Sequence, residues 1–384
     1  MFSLPPLSLY IHLPWCVRKC PYCDFNSHAV KQKIPEAEYI DILLADLDTL
    51  LPQVWNRPVH AIFFGGGTPS LFSGASLQRL LDGVRARLPL TPNIEITLEA
   101  NPGSVEYDHF SAYFDAGINR ISLGVQSFND AHLKKLGRIH TAREADKAIT
   151  KIRRAGFKNL NLDLMFALPE QSHAEALTDI DKAVTYQPEH ISHYQLTLEP
   201  NTAFAANPPR LPDHDSGVDM QLACADLLQT ANYHQYEISA WGQPEKACQH
   251  NLNYWRFGDY LGIGAGAHGK ITLPAEEKIQ RYARQRHPKI YLQAASNNNW
   301  NSEIRDLNST DLIFEYFLNH FRLREKICLS HFEKRTNLMR DKLDTIIEKA
   351  IQKGLLERHR ESIQTTKFGW RFINDLQALF LIDH

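Results

Sequence analysis

The sequence predicts an α/β fold, a mainly parallel sheet with helices outside it, followed by a smaller α+β domain. Three observations carry this. From the N-terminus to about residue 200, short apolar runs alternate with amphipathic helical patterns. The runs are rich in Ile, Leu, Phe and Val, as suits strands buried on both faces. After about residue 309 the order changes to helices, a two-stranded ribbon and a last helix, which is the order of a winged helix.

The candidate strands are 7–13, 61–65, 94–100, 120–126, 159–165 and 190–197. Between the first two, Ile40, Leu43, Leu44, Leu47, Leu50 and Leu51 recur at helical spacing, and Leu77, Leu80, Leu81, Val84 and Leu88 do so after the second. Thr141 with Glu144 and Ser172 with Glu175 have the spacing of capping boxes, and Gly156 suits the end of the first of these helices. Residues 200–217 read as a loop, because prolines and polar residues break both periodicities. A helix at 218–231, a short strand near 236–241, a glycine-rich segment at 258–269 and a linker at 297–299 follow. The turn at 354–357 leads into the ribbon, and the last helix covers 372–381.

Periodicity leaves an open sheet and a barrel both standing. The polar residues favour convergence on one end. Three cysteines follow the first strand, Gly65, Gly66 and Gly67 end the second, Glu99 ends the third, Gln126 the fourth, and Asp163 lies near the end of the fifth. In α/β barrels the C-terminal strand ends surround a single site.

A chain of 384 residues suggests two or three domains. With 43% hydrophobic and 22% charged residues it is too apolar to be disordered. A formal net charge of -2 argues against a dedicated nucleic-acid binder. The basic residues near the C-terminus, such as Arg340 and Arg358, are interleaved with acids, as on a solvated face. Without a long apolar run or a signal-like N-terminus, the expectation is a cytoplasmic protein with no membrane anchor.

Cys16, Cys20 and Cys23 fall within eight residues, while Cys224, Cys248 and Cys328 are scattered. Such close spacing suits a metal better than disulfides. Thiolates on one loop hold iron or zinc. Structural zinc closes with four protein ligands, for which His12 and His28 are the neighbours. A [4Fe–4S] cluster on three cysteines leaves one iron open.

The segment Tyr10–Cys23, YIHLPWCVRKCPYC, with Gly65-Gly66-Gly67-Thr68-Pro69 after it, resembles the radical S-adenosylmethionine (SAM) superfamily. That resemblance implies a partial (β/α)6 barrel over about residues 1–240, with a C-terminal α+β, winged-helix-like domain at 241–384. It also implies a [4Fe–4S] cluster on Cys16, Cys20 and Cys23, with SAM on the open iron and an electron donor to cleave its sulfonium. Within the superfamily, nearly the whole chain is similar to the oxygen-independent coproporphyrinogen dehydrogenases. By that likeness Tyr10, Gly66, Gly67, Thr68, Glu99, Gln126, Arg138 and Asp163 contact SAM. Carboxylates suit its ribose and ammonium groups, and an arginine suits its carboxylate.

Two departures set the chain apart from those enzymes. Phe25 stands where they carry a further cysteine, and only nine residues precede Tyr10. The likeness then narrows to a sister group of haem chaperones, marked by the motif present here as His250, Asn251, Tyr254 and Trp255. Histidine ligates haem iron, and aromatic rings stack on or shield a porphyrin. Tyr254 and Cys248 are alternative ligands. The resemblance implies haem as ligand, acceptor haemoproteins as partners and no coproporphyrinogen dehydrogenase activity. It leaves room for a membrane-bound acceptor and a homodimer. The alternative is a radical SAM oxidoreductase acting on coproporphyrinogen III or a related tetrapyrrole.

Overall fold

The computed structural model describes residues 3–103 and 109–381. Six strands of the first part lie side by side in chain order, all parallel: β1 (Leu7–Leu13), β2 (Val59–Gly66), β3 (Leu90–Ala100), β4 (Arg120–Gln126), β5 (Leu160–Phe166) and β6 (His190–Gln195). Sequential parallel order with a helix after each strand is the wiring of a β/α barrel. The ladder does not close, so the barrel is partial.

Helices cover the outside because their apolar stripes have nowhere else to go. Helix α1 (Glu36–Leu50) buries Tyr39, Ile40, Leu43, Leu47 and Leu50. Helix α2 (Gly74–Arg85) buries Leu77, Leu80, Leu81 and Val84, each worth roughly 1.5–3 kcal/mol relative to exposure. Both expected capping boxes are present, at the starts of α3 (Ala142–Arg154) and α4 (His173–Thr185). Gly156 has a positive φ of 101° just beyond α3, as a C-terminal glycine should.

Several elements depart from expectation. Helix α5 (His214–Thr230) begins four residues early, because the Asp213 side chain caps Ser216 N. The expected strand near 236–241 is a tight antiparallel pair, β7 (His234–Glu237) and β8 (Ala240–Gly242), at one edge of the sheet. After helix α6 (Gln249–Trp255), the chain crosses to the opposite side of β1. There β9 (Asp259–Ile263) adds a seventh parallel strand, and β10 (His268–Leu273), β11 (Lys278–Arg284) and β12 (Asn301–Asp306) continue the sheet antiparallel. The expected boundary at residue 240 therefore falls inside one continuous sheet. Residues 297–299 are not a linker. Asn297 ends a short helix and Asn298 takes a left-handed φ of 47°, turning the chain into β12. Asparagine tolerates that conformation better than most residues.

Asp259 fastens the crossing. Its carboxylate meets Arg57 Nη2 at 2.8 Å and Lys270 Nζ at 3.3 Å, and accepts from Thr272 N at 3.0 Å, with Asp259, Lys270 and Thr272 buried. Removing one partner of such a set strands the others. Asp259→Ala is expected to lower unfolding free energy in urea by about 3–5 kcal/mol. A loss under 1 kcal/mol would show that the crossing is held by packing alone.

A second core gathers Leu312, Ile313, Tyr316, Phe317, Phe332, Ile347, Ile363 and Phe380, with Phe257 and Ile279 against it. The order is α7 (Ser309–His320), β13 (Ile327–Cys328), α8 (Leu329–Thr336), α9 (Asp344–Gln352), β14 (Leu356–His359) and β15 (Ser362–Thr365), with β15 central in the small sheet. This is a winged-helix arrangement. The final helix, α10 (Ile373–Leu379), is shorter than expected. Arg358 is paired with Asp344 and Glu348, and Arg340 with Glu333 and Glu361. Among the described residues no helix is long and apolar enough to cross a membrane.

Candidate functional site

The expected residues meet at the C-terminal ends of β1 to β5. The cysteine loop leaves β1 and is pinned from several directions. Gly67 N donates to Leu13 O at 2.9 Å and Thr68 N to Trp15 O at 2.7 Å. A Cβ on Gly67 would lie 2.5 Å from Trp15 O, so only glycine lets the second strand end come this close to the backbone before Cys16. On the far side, Asn26 Nδ2 donates to Ala265 O at 2.8 Å and Arg286 O at 2.9 Å. Gly264, with φ 106°, sits where a Cβ would be 2.3 Å from His12 O. The glycine-rich segment is thus a backstop for the cysteine loop.

All three loop cysteines are free and half-buried. Burial pushes the Cys16 and Cys23 thiols up, and the charge on neighbouring cysteines adds to this in both. Arg138 Nη1 donates to Cys20 Sγ at 3.6 Å. Desolvated thiolates that repel one another need a cation among them, and soft sulfur donors suit iron. The residues therefore fit a [4Fe–4S] cluster. Zinc is less well served. Both His12 nitrogens are engaged, Nδ1 with Tyr10 OH and Nε2 with Asn26 O, each at 2.9 Å. Among the described residues no three His, Cys, Asp or Glu side chains are placed to hold a single metal ion.

Around the loop the charges are sorted. On one side a cleft is lined by Cys20, Thr68, Asn101 and Arg138. Arg138 Nη2 donates to Gly124 O at 2.8 Å and to Asn101, whose Nδ2 donates to Thr68 Oγ1 at 2.8 Å. Glu99 and Asp163 supply the acidic side. Gly66 N donates to Glu99 Oε2 at 3.2 Å, and burial, with the charge of Asp163 beside it, raises the Glu99 carboxyl to about 8. Asp163 accepts from Ser122 Oγ at 3.0 Å and Asn161 Nδ2 at 2.7 Å. Its own carboxyl is also shifted up by burial. Gln126 lies at a β-bulge with a φ of 67° and accepts from Tyr194 OH at 2.6 Å. A strained bulge at a strand end re-aims a side chain. An arginine on one side and two carboxylates on the other match the carboxylate, ammonium and ribose of SAM.

The His250 motif is split by helix α6. His250 and Tyr254 face the barrel interior. The His250 ring lies 5.0 Å from Phe63 and 6.1 Å from Tyr10, both stacked, and 4.5 Å from Tyr254. Its Nε2 bonds Tyr254 OH at 2.7 Å, while its Nδ1 is buried without a partner. Burial, with the charge of Arg120 added, lowers this imidazole to about 3, so it is neutral at pH 7. Trp255 stacks instead under Arg322, 4.3 Å from the ring centre, and Asn251 is half-buried. The alternative ligand Cys248 is buried, with Sγ 3.6 Å from Glu95 Oε1.

Sequence reasoning missed Asn26, Asn101 and Asn161. Asn101 had a local signal, two residues beyond Glu99. Asn26 had none, because its partners lie more than 200 residues away.

The Radical SAM superfamily profile matches residues 10–183, and that of the HemN C-terminal domain matches residues 307–372. The chain is 51% identical to "Heme chaperone HemW" of Escherichia coli (strain K12) over 383 residues, covering 100% of each. It is 33% identical to the "Heme chaperone HemW" of Lactococcus lactis over 384 residues, covering 98% of each. In fold it is similar to the coproporphyrinogen III oxidase HemN of Escherichia coli, described as a radical SAM enzyme. That structure superposes with a TM-score of 0.83 at 23% identity, over 98% of this chain and 90% of that one.

Proposed function

The chain belongs to the radical SAM superfamily and within it to the HemW family of haem chaperones, and on that premise we propose that it binds haem and passes it to acceptor haemoproteins. Its place of action on this reading is the cytoplasm. Cys16, Cys20 and Cys23 hold a [4Fe–4S] cluster, and Tyr10, Gly66, Gly67, Thr68, Glu99, Gln126, Arg138 and Asp163 surround SAM. When bound, the cluster supplies an open iron and an electron. The protein's own groups do the positioning. Arg138, steadied by Asn101 and Gly124, takes a carboxylate as a charged fork. Glu99 gives up its proton when an ammonium arrives, since a nearby cation favours the charged form.

The observation that carries the haem assignment is His250. It is a neutral imidazole with Tyr254 on one nitrogen and an unpartnered Nδ1 on the other, set among the rings of Tyr10, Phe63 and Tyr254. A neutral nitrogen lone pair is what haem iron takes from histidine. Buried polar atoms without partners are rare enough to ask for one.

An anaerobic haem titration of the cluster-reconstituted protein is expected to give a saturable Soret band, weakened or displaced in His250→Ala. Because the imidazole stays neutral, the wild-type band should be constant from pH 5 to 8. A band identical in the variant would move the iron ligand elsewhere. No saturable band in either protein would end the chaperone reading.

A further inference from the structure

Behind Asp163 runs a chain of hydrogen bonds centred on a histidine that the function above leaves unused. His190 opens β6 and pairs in register with Asn161 on β5, and both are 1% exposed. Its Nδ1 lies 2.6 Å from Asn161 Oδ1, and its Nε2 lies 2.9 Å from the Tyr236 hydroxyl on β7. The Asn161 amide nitrogen donates to Asp163 Oδ1 and to Ser122 Oγ, each at 2.7 Å. Ser122 Oγ in turn donates to Asp163 Oδ2 at 3.0 Å. Both oxygens of the carboxyl are thus held through Asn161.

The order of protons along this chain follows from its ends. Asn161 gives both amide hydrogens to Asp163 and Ser122, so its oxygen faces His190 and only accepts. Burial, with the charge of Arg120 added, lowers the His190 imidazole well below its ordinary range, so it is neutral and carries one N–H. That hydrogen lies on Nδ1 to serve Asn161 Oδ1, which leaves Nε2 to accept from the Tyr236 hydroxyl. The Tyr236 oxygen in turn accepts from Cys248 N, the residue before α6, at 3.2 Å. With its amide reversed, Asn161 would turn an oxygen on the Asp163 carboxyl and a donor on the His190 N–H. Ser192 Oγ also donates to Asn161 Oδ1, at 3.1 Å, but a hydroxyl rotates to serve either end of an amide. Only the imidazole, with its tautomer set, selects one orientation. We propose that His190, held in its Nδ1–H form by Tyr236, is a positioning residue that acts through Asn161 to keep Asp163 an acceptor for the hydroxyl or ammonium donors of SAM. The proposal rests on the reading of Asp163 as a SAM contact and is independent of the haem assignment.

The test uses the full-length, cluster-reconstituted protein with SAM as probe, in anaerobic equilibrium dialysis. An asparagine side chain places its amide nitrogen where the His190 ring has Nδ1, whereas a glutamine places its own where the ring has Nε2. His190→Asn is therefore expected to bind SAM nearly as the wild type does. His190→Gln should bind it about threefold to tenfold more weakly, the size of one lost hydrogen bond. A packing role predicts the reverse order, since asparagine leaves the larger cavity. Tyr236→Phe removes one hydroxyl and keeps the ring, so it carries the test should the His190 variants fail to fold. It should weaken SAM binding by a similar factor. Correlation spectra of nitrogen-labelled histidine should show the His190 proton on Nδ1 in the wild type and shared between both nitrogens in Tyr236→Phe. The reverse order of the two His190 variants, or SAM affinity unchanged in His190→Gln and Tyr236→Phe, would overturn the positioning role and leave the SAM site standing. A wild-type His190 proton on Nε2 would do the same. Wild-type protein that retains no SAM would overturn both.

Discussion

Replacing Cys16, Cys20 and Cys23 together by alanine should abolish the iron and acid-labile sulfide content of the reconstituted protein while leaving its far-ultraviolet circular dichroism intact. The loop does not depend on the sulfurs for its path. Its backbone is anchored through Gly67 N to Leu13 O, His28 N to Pro14 O and the Asn26 side chain, none of which uses a thiol. Each single replacement should cost most of the iron as well, because each of the three thiolates holds one iron and losing one leaves two irons without a protein ligand. Full iron and sulfide in the triple variant would place the cluster on other residues. Among the remaining cysteines, Cys224 and Cys248 are buried and Cys328 lies in the C-terminal domain.

What could be read before folding was the chemistry that demands particular residue types at short range. The cysteine spacing, the triple glycine and the carboxylates at strand ends all lie within a few residues of the strands that present them. The six parallel strands and both capping boxes were legible for the same reason, since periodicity and caps are local. Contacts across long stretches of chain were not. Asn26 reaches residues 265 and 286, and Asp259 gathers Arg57, Lys270 and Thr272. Strand β9 was hidden because Gly262, where a Cβ would meet His268 O at 1.9 Å, lowers its apparent strand propensity. The depth of His250 was hidden too. HNxxYW reads alike whether its helix lies on the surface or faces the barrel interior, and only the rings of Tyr10 and Phe63 decide it.

Glu99→Gln should make the protein without SAM more stable at alkaline pH and should remove most of its affinity for SAM. The wild-type carboxyl titrates near 8 in the folded chain, because burial and Asp163 oppose its charge. An unfolded glutamate titrates at about 4.3. Between those values the folded state keeps a proton that the unfolded state has shed, so wild-type stability falls as pH rises from about 4.5 to 8 and is level above that. The amide has no charge to desolvate and still offers an oxygen to Gly66 N, which donates to Glu99 Oε2 at 3.2 Å in the wild type. The melting temperatures of the two proteins should therefore be close at pH 5 and diverge toward pH 8, by an amount equivalent to at most roughly 3–5 kcal/mol. SAM binding should move the other way. A carboxylate facing an ammonium contributes about 1.5–3 kcal/mol, so equilibrium dialysis should show affinity lowered by one to two orders of magnitude. Parallel melting curves across this pH range would mean that Glu99 is ionised at neutral pH. Unchanged SAM affinity would remove it from the site. The two effects have one cause. The carboxyl is buried beside another acid, which costs stability until a cation arrives, and the same burial strengthens its grip on that cation.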